Sequence, residues 1–129
     1  MATMRETVHI DATPETVWAG IREPLALLDW FDGIDSGEMV GNARKLKMGD
    51  ISVTEEIVTV DDDLRRFQYA LIEMPIPVEF HLATIDVLPD GDGTLLVYGV
   101  DVRPDMLKDI LAPTIAGAAK GMKQHFENA

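Results

Sequence analysis

The chain has no cysteine, which removes disulfide cross-links and thiol nucleophiles at a stroke and fits a reducing compartment. Serine is almost as scarce. Ser36 and Ser52 are its two serines, and neither lies in a Gly-x-Ser-x-Gly turn, so standard acyl-enzyme chemistry lacks its nucleophile. Basic residues are outnumbered, 11 against 23 acidic ones, and the net charge of -12 repels phosphate backbones and anionic membrane surfaces, which argues against a nucleic-acid partner. No apolar run approaches the roughly 20 residues needed to cross a bilayer, and the N-terminus lacks a basic region followed by an apolar core. The expectation is a soluble, cytoplasmic protein without membrane insertion. There is no Gly-x-Gly-x-x-Gly and no phosphate-cradling loop, so no cofactor is expected. His9, His81 and His125 are far apart and match no zinc spacing, so no metal is expected either. Asp90-Gly91-Asp92-Gly93 lacks the remaining ligands of a calcium loop and reads as a hairpin turn, as does Asp61-Asp62-Asp63.

What remains is a chain of 129 residues, enough for one domain with a real core, with no linker, repeat or low-complexity run. Turn chemistry at Gly41-Asn42, Gly49-Asp50, Asp61 to Asp63 and Pro89 to Gly93 separates strand-length segments. Those from Ile51 to Val60, Arg65 to Ile72, Val78 to Leu88 and Thr94 to Val102 are rich in β-branched and aromatic residues; Gly37 to Val40 and Arg44 to Met48 are shorter. Met4 to Ile10 alternates as another strand. Thr13-Pro14-Glu15 then gives a helix start, with a cap, a first-turn proline and an acid at the positive end of the dipole. That helix is expected to reach about Ile21. A second short one should follow Pro24 with Leu25 and Leu28 on one face. At the C-terminus, Leu107, Leu111, Ile115, Ala118, Met122 and Phe126 form one apolar stripe at helical spacing. Pro113 inside it predicts a kink, or a short lead-in before a main helix from Pro113. Gly117 and Gly121 flank the stripe, permitting either a close helix approach or room for a ligand.

From His9-Ile10-Asp11-Ala12-Thr13-Pro14-Glu15-Thr16-Val17-Trp18 onward the chain resembles the START/Bet v 1-like superfamily, in its bacterial polyketide cyclase/dehydrase branch. The likeness continues through Leu28-Asp29-Trp30-Phe31, Gly41 followed by Arg44, Glu55-Glu56-Ile57, Arg65-Arg66-Phe67-Gln68-Tyr69, Pro75-Ile76-Pro77-Val78 and Asp92-Gly93-Thr94. The resemblance implies an α+β helix-grip fold, a seven-stranded antiparallel sheet wrapped around a long C-terminal helix, with two short helices after the first strand and a cavity between sheet and helix. It also implies ligands such as lipids, quinones or polyketides, and in some members cyclisation or dehydration. Where relatives carry Trp in the last strand this chain has Tyr98, a smaller and more polar wall.

Strand alternation nominates the cavity-facing side chains. His81 shares the register of Ala83, Ile85 and Val87, as a satisfied core histidine, a rim residue or a general acid/base. Glu55 shares that of Val53 and Ile57, and Arg44 that of Leu46 and Met48. A buried Arg44 and Glu55 pair follows, serving either structure or a ligand oxygen. Tyr69 and Tyr98 either pack or orient a ligand, with Tyr98 or Arg44 as the stabiliser of an enolate-like oxygen if chemistry occurs. Trp30 and Met74 are candidates for the cavity mouth, and Ile115, Ala118 and Met122 for the helical wall. The expected function is enclosure of a small, mostly apolar molecule, with or without its cyclisation or dehydration. The alternatives are a carrier or sensor, or an interaction module with a collapsed cavity. Oligomeric state is not legible.

Overall fold

Alternating exposure along Ala2–Ile10 makes it an antiparallel strand, β1, in the computed structural model, which describes residues Met1–Asn128. Two short helices follow, α1 (Pro14–Ala19) and α2 (Leu27–Trp30). Six strands come next: β2 (Ser36–Val40), β3 (Ala43–Met48), β4 (Ile51–Asp61), β5 (Arg66–Glu73), β6 (Phe80–Asp90) and β7 (Gly93–Arg103). The helix α3 (Leu107–Glu127) ends the order. All neighbours are antiparallel, in the order β1-β7-β6-β5-β4-β3-β2, and α3 lies along β1 while touching β7 and α2. This is the helix-grip α+β architecture. No described helix is long and apolar enough to cross a membrane.

Three two-residue hairpins begin with Gly41, Gly49 and Gly91, each near φ +60°, a position a side chain rarely adopts and the first site of a tight β-hairpin turn. The β4–β5 hairpin instead uses Asp61, whose Oδ1 accepts from the Asp63 and Leu64 amides. Two register shifts along the β4–β5 ladder, between Thr54 and Glu55 and between Ile57 and Thr59, are the irregularities that bend a strand and help curl a sheet around a helix.

The helices depart from expectation in instructive ways. Thr13 caps α1 by accepting from the Thr16 amide, as its sequence predicts, but the helix stops at Ala19 because Gly20 caps it and passes tightly beneath the Phe126 ring. In α2 the buried side chains are Leu27 and Trp30, not Leu25 and Leu28. The residues after Pro24 form turns rather than helix, so the helical phase begins only at Leu27 and Leu28 is turned outward. Pro113 does not divide α3, which is one helical element. Pro113 and Asp109, whose carbonyl loses its amide partner, both lie on the exposed side, where the loss is tolerable.

Candidate functional site

Between the inner face of the sheet, α2 and the first half of α3 lies a cavity of about 380 Å³, within the size range of small-molecule sites. Most of its wall is apolar: Leu27 and Trp30 from α2, Leu46 and Met48 from β3, Val53 from β4, Leu71 from β5, and Leu111 and Ile115 from α3. Polar residues from five strands, Arg44, Glu55, Tyr69, His81 and Tyr98, break that surface, together with Thr114 of α3.

Arg44 and Glu55 are direct partners across the β3–β4 ladder, and Arg44 Nε donates to Glu55 Oε1 at 2.7 Å. Both are buried, at 4% and 9% exposure. Arg44 Nη1 also donates to the Pro24 carbonyl at 2.6 Å, which ties the segment before α2 to the sheet. Its guanidinium carbon lies 4.7 Å from the centroid of the Tyr69 ring and 5.4 Å from that of Phe67, a cation–π seat for a desolvated charge. Burial pushes the Glu55 carboxyl up and Arg44 opposes it; the net direction is upward.

Tyr69 and Tyr98, from β5 and β7, join hydroxyl to hydroxyl. Burial holds both phenols above their ordinary range, so both are neutral and one retains a proton to donate. His81, on β6, is 5.6 Å from Tyr69 between ring centroids. Its Nδ1 accepts a 3.0 Å bond from the Leu71 amide. That bond fixes the proton on Nε2, and burial lowers the ring to about 4, so His81 is neutral near pH 7. The ladder explains the bond. β5 and β6 pair only from Arg66↔Asp86 to Tyr69↔Ala83, so the Leu71 amide meets the imidazole where a strand carbonyl would have been.

The structure brings eight of the ten nominated residues to the cavity wall: His81, Tyr98, Arg44, Glu55, Tyr69, Trp30, Met74 and Ile115. Ala118 and Met122 are not among them. Both are buried in or against the packed core farther along α3, because the helical stripe marks the side facing the sheet, whether or not the space opposite is filled. Phe31, Ile34, Met48, Ile110 and Thr114 also line the cavity and were not nominated. Met48 was within reach, since it shares Arg44's register. Gly121 resolves as close approach, because a Cβ there would collide with the Trp30 carbonyl, whereas Gly117 faces open space outside this cavity.

A family model described as polyketide cyclase / dehydrase and lipid transport matches residues 1–129. Among solved structures, the protein XoxI from Bacillus cereus is similar at TM-score 0.90 and 25% identity, over 98% of this chain and 96% of that one. A START superfamily protein from Mycobacterium smegmatis follows at TM-score 0.83 and 17% identity, over 99% of each chain. Norcoclaurine synthase from Thalictrum flavum reaches TM-score 0.73 at 18% identity, over 95% of this chain and 84% of that one. No curated protein sequence matches the chain.

Proposed function

The chain belongs to the polyketide cyclase/dehydrase and lipid transport family, and from that premise we propose that it encloses one small, mostly apolar molecule between sheet and α3. The polar end of that molecule would rest against Arg44, Glu55, Tyr69, Tyr98 and His81. The observation that carries this reading is the composition of the wall, a mostly apolar cavity of about 380 Å³ with most of its polar groups on the strands. The same volume weighs against the collapsed-cavity interaction module.

Binding, rather than acid–base catalysis, is the better reading of the polar groups. A general base at neutral pH needs a free lone pair and a pKa near the working pH. The Nδ1 lone pair of His81 is occupied by the Leu71 amide, its Nε2 carries the proton, and its pKa is lowered to about 4. The ring is therefore a hydrogen-bond donor, not the base that a cyclase or dehydratase would use. Tyr69 and Tyr98 likewise serve as neutral donors and acceptors.

Titration with 1-aminoanthracene, a neutral apolar fluorophore, tests the reading. The wild type should take up one equivalent with enhanced emission. Ile115→Trp, which fills the cavity from α3, should weaken uptake roughly tenfold or more while keeping its circular dichroism spectrum. A wild type that takes up no probe, or an Ile115→Trp variant that binds as tightly, overturns it.

A further inference from the structure

We propose that the cavity selects an uncharged ligand ending in a carbonyl or hydroxyl oxygen and rejects a carboxylate of the same shape. The proposal rests on the enclosed-ligand reading and adds the chemical class.

The first argument is charge balance. Arg44 and Glu55 are the sole Lys, Arg, Asp or Glu side chains among the described residues that line the cavity, and they are bonded to each other at 2.7 Å. Every other lining group is apolar or neutral, His81 and the two tyrosines included. An entering carboxylate would place a second negative charge beside a guanidinium already claimed by Glu55. It would either repel Glu55 at short range or force it to take up a proton. An entering cation would meet Arg44 in the same way. The chain's net charge of -12 adds a long-range bias against anions.

The second argument counts the groups left over. Arg44 uses Nε and Nη1 on Glu55 and Pro24, and His81 uses Nδ1 on Leu71. Arg44 Nη2 and His81 Nε2 have no partner among the described residues. Among the described residues no sealed side-chain nitrogen or oxygen lacks a partner, so both atoms are accessible, and both residues line the cavity. Each is a donor, and they flank the same ring, Tyr69. A carbonyl or hydroxyl oxygen is the neutral acceptor that either donor can serve. Glu55 Oε2, also without a partner among the described residues, is the acceptor that a hydroxyl would use.

Isothermal titration of the wild type with 2-naphthaldehyde, 2-methylnaphthalene and 2-naphthoate at neutral pH separates shape from oxygen and charge. The aldehyde should bind roughly tenfold or more tightly than either of the others. Naphthoate binding as tightly as the aldehyde overturns the proposal, and so does methylnaphthalene binding as tightly, since oxygen recognition would then be absent. If none of the three binds while 1-aminoanthracene does, the enclosed-ligand reading survives and the oxygen-tipped class falls. If that probe fails too, both fall. Glu55→Gln, which leaves the Arg44 charge unbalanced, should shift preference toward naphthoate by roughly tenfold; unchanged rejection of naphthoate in a folded Glu55→Gln protein overturns the charge argument. The wild-type comparison stands even if that variant does not fold.

Discussion

The two halves of α3 do opposite work with the same apolar stripe. Toward its C-terminus, Ala118, Met122 and Phe126 are packed solid, with Met122 fully buried, Phe126 pressed on Gly20 and Gly121 against Trp30. Toward its N-terminus, Leu111, Thr114 and Ile115 border open space. Small residues at the packed end let the elements close, whereas at the other end the sheet presents Arg44, Glu55 and His81, which cannot be covered by hydrocarbon without losing solvation or a partner. A cavity survives where the facing side chains are polar enough to resist filling and bulky enough to hold the walls apart.

The sharpest way to break this contrast is to delete side chains at both ends. Phe126→Ala should cost about 3–5 kcal/mol by opening a void in close-packed surroundings, while Leu111→Ala, which only enlarges an existing space, should cost about 1–2 kcal/mol. Urea unfolding at constant m-value measures both. Equal losses would mean that the two ends are packed alike.

A titration sharpens it next. The folded-state pKa of His81 is lowered from 6.5 to about 4, so the unfolded chain binds a proton that the folded one resists. Stability from this group is fully present above about pH 6.5 and is lost as pH falls toward 4, by up to roughly 3 kcal/mol. Unfolding of wild type and His81→Gln at pH 7 and pH 4.5 should show the steeper loss in the wild type. Parallel losses would remove His81 from the buried cavity wall.

The smallest effect separates the two glycines. Gly121→Ala should destabilise by about 1–3 kcal/mol, because its methyl group meets the Trp30 backbone rather than a side chain that can swing away. Gly117→Ala, facing open space, should stabilise by about 1 kcal/mol through helix propensity. Thermal melts of the pair decide it, and a shared sign would contradict the packing described here.

Strand alternation made most of the sheet's contribution legible in advance. A period of two assigns faces without knowledge of the partner, so Arg44, Glu55, Tyr69, His81 and Tyr98 could be placed inward from their neighbours alone. The β4–β5 register shifts blur that rule: Val53, Thr54 and Glu55 are buried in succession, which no simple alternation anticipates. The helices were less legible. A stripe names the buried side of α3 but is silent on what fills the space opposite, hence the misplacement of Ala118 and Met122. The phase of α2 depended on turns after Pro24 that lengthen the approach by a few residues. The lone pair on His81 was beyond reach, because its donor is an amide freed by the end of a ladder ten residues away.

That bond also joins two parts of the sheet beyond their shared ladder. Past Tyr69 and Ala83 the sheet is two leaves, β1, β7 and β6 on one side and β5 to β2 on the other, stitched by the imidazole rather than by peptide groups. A residue at position 81 without an acceptor would leave the Leu71 amide unpartnered at that join.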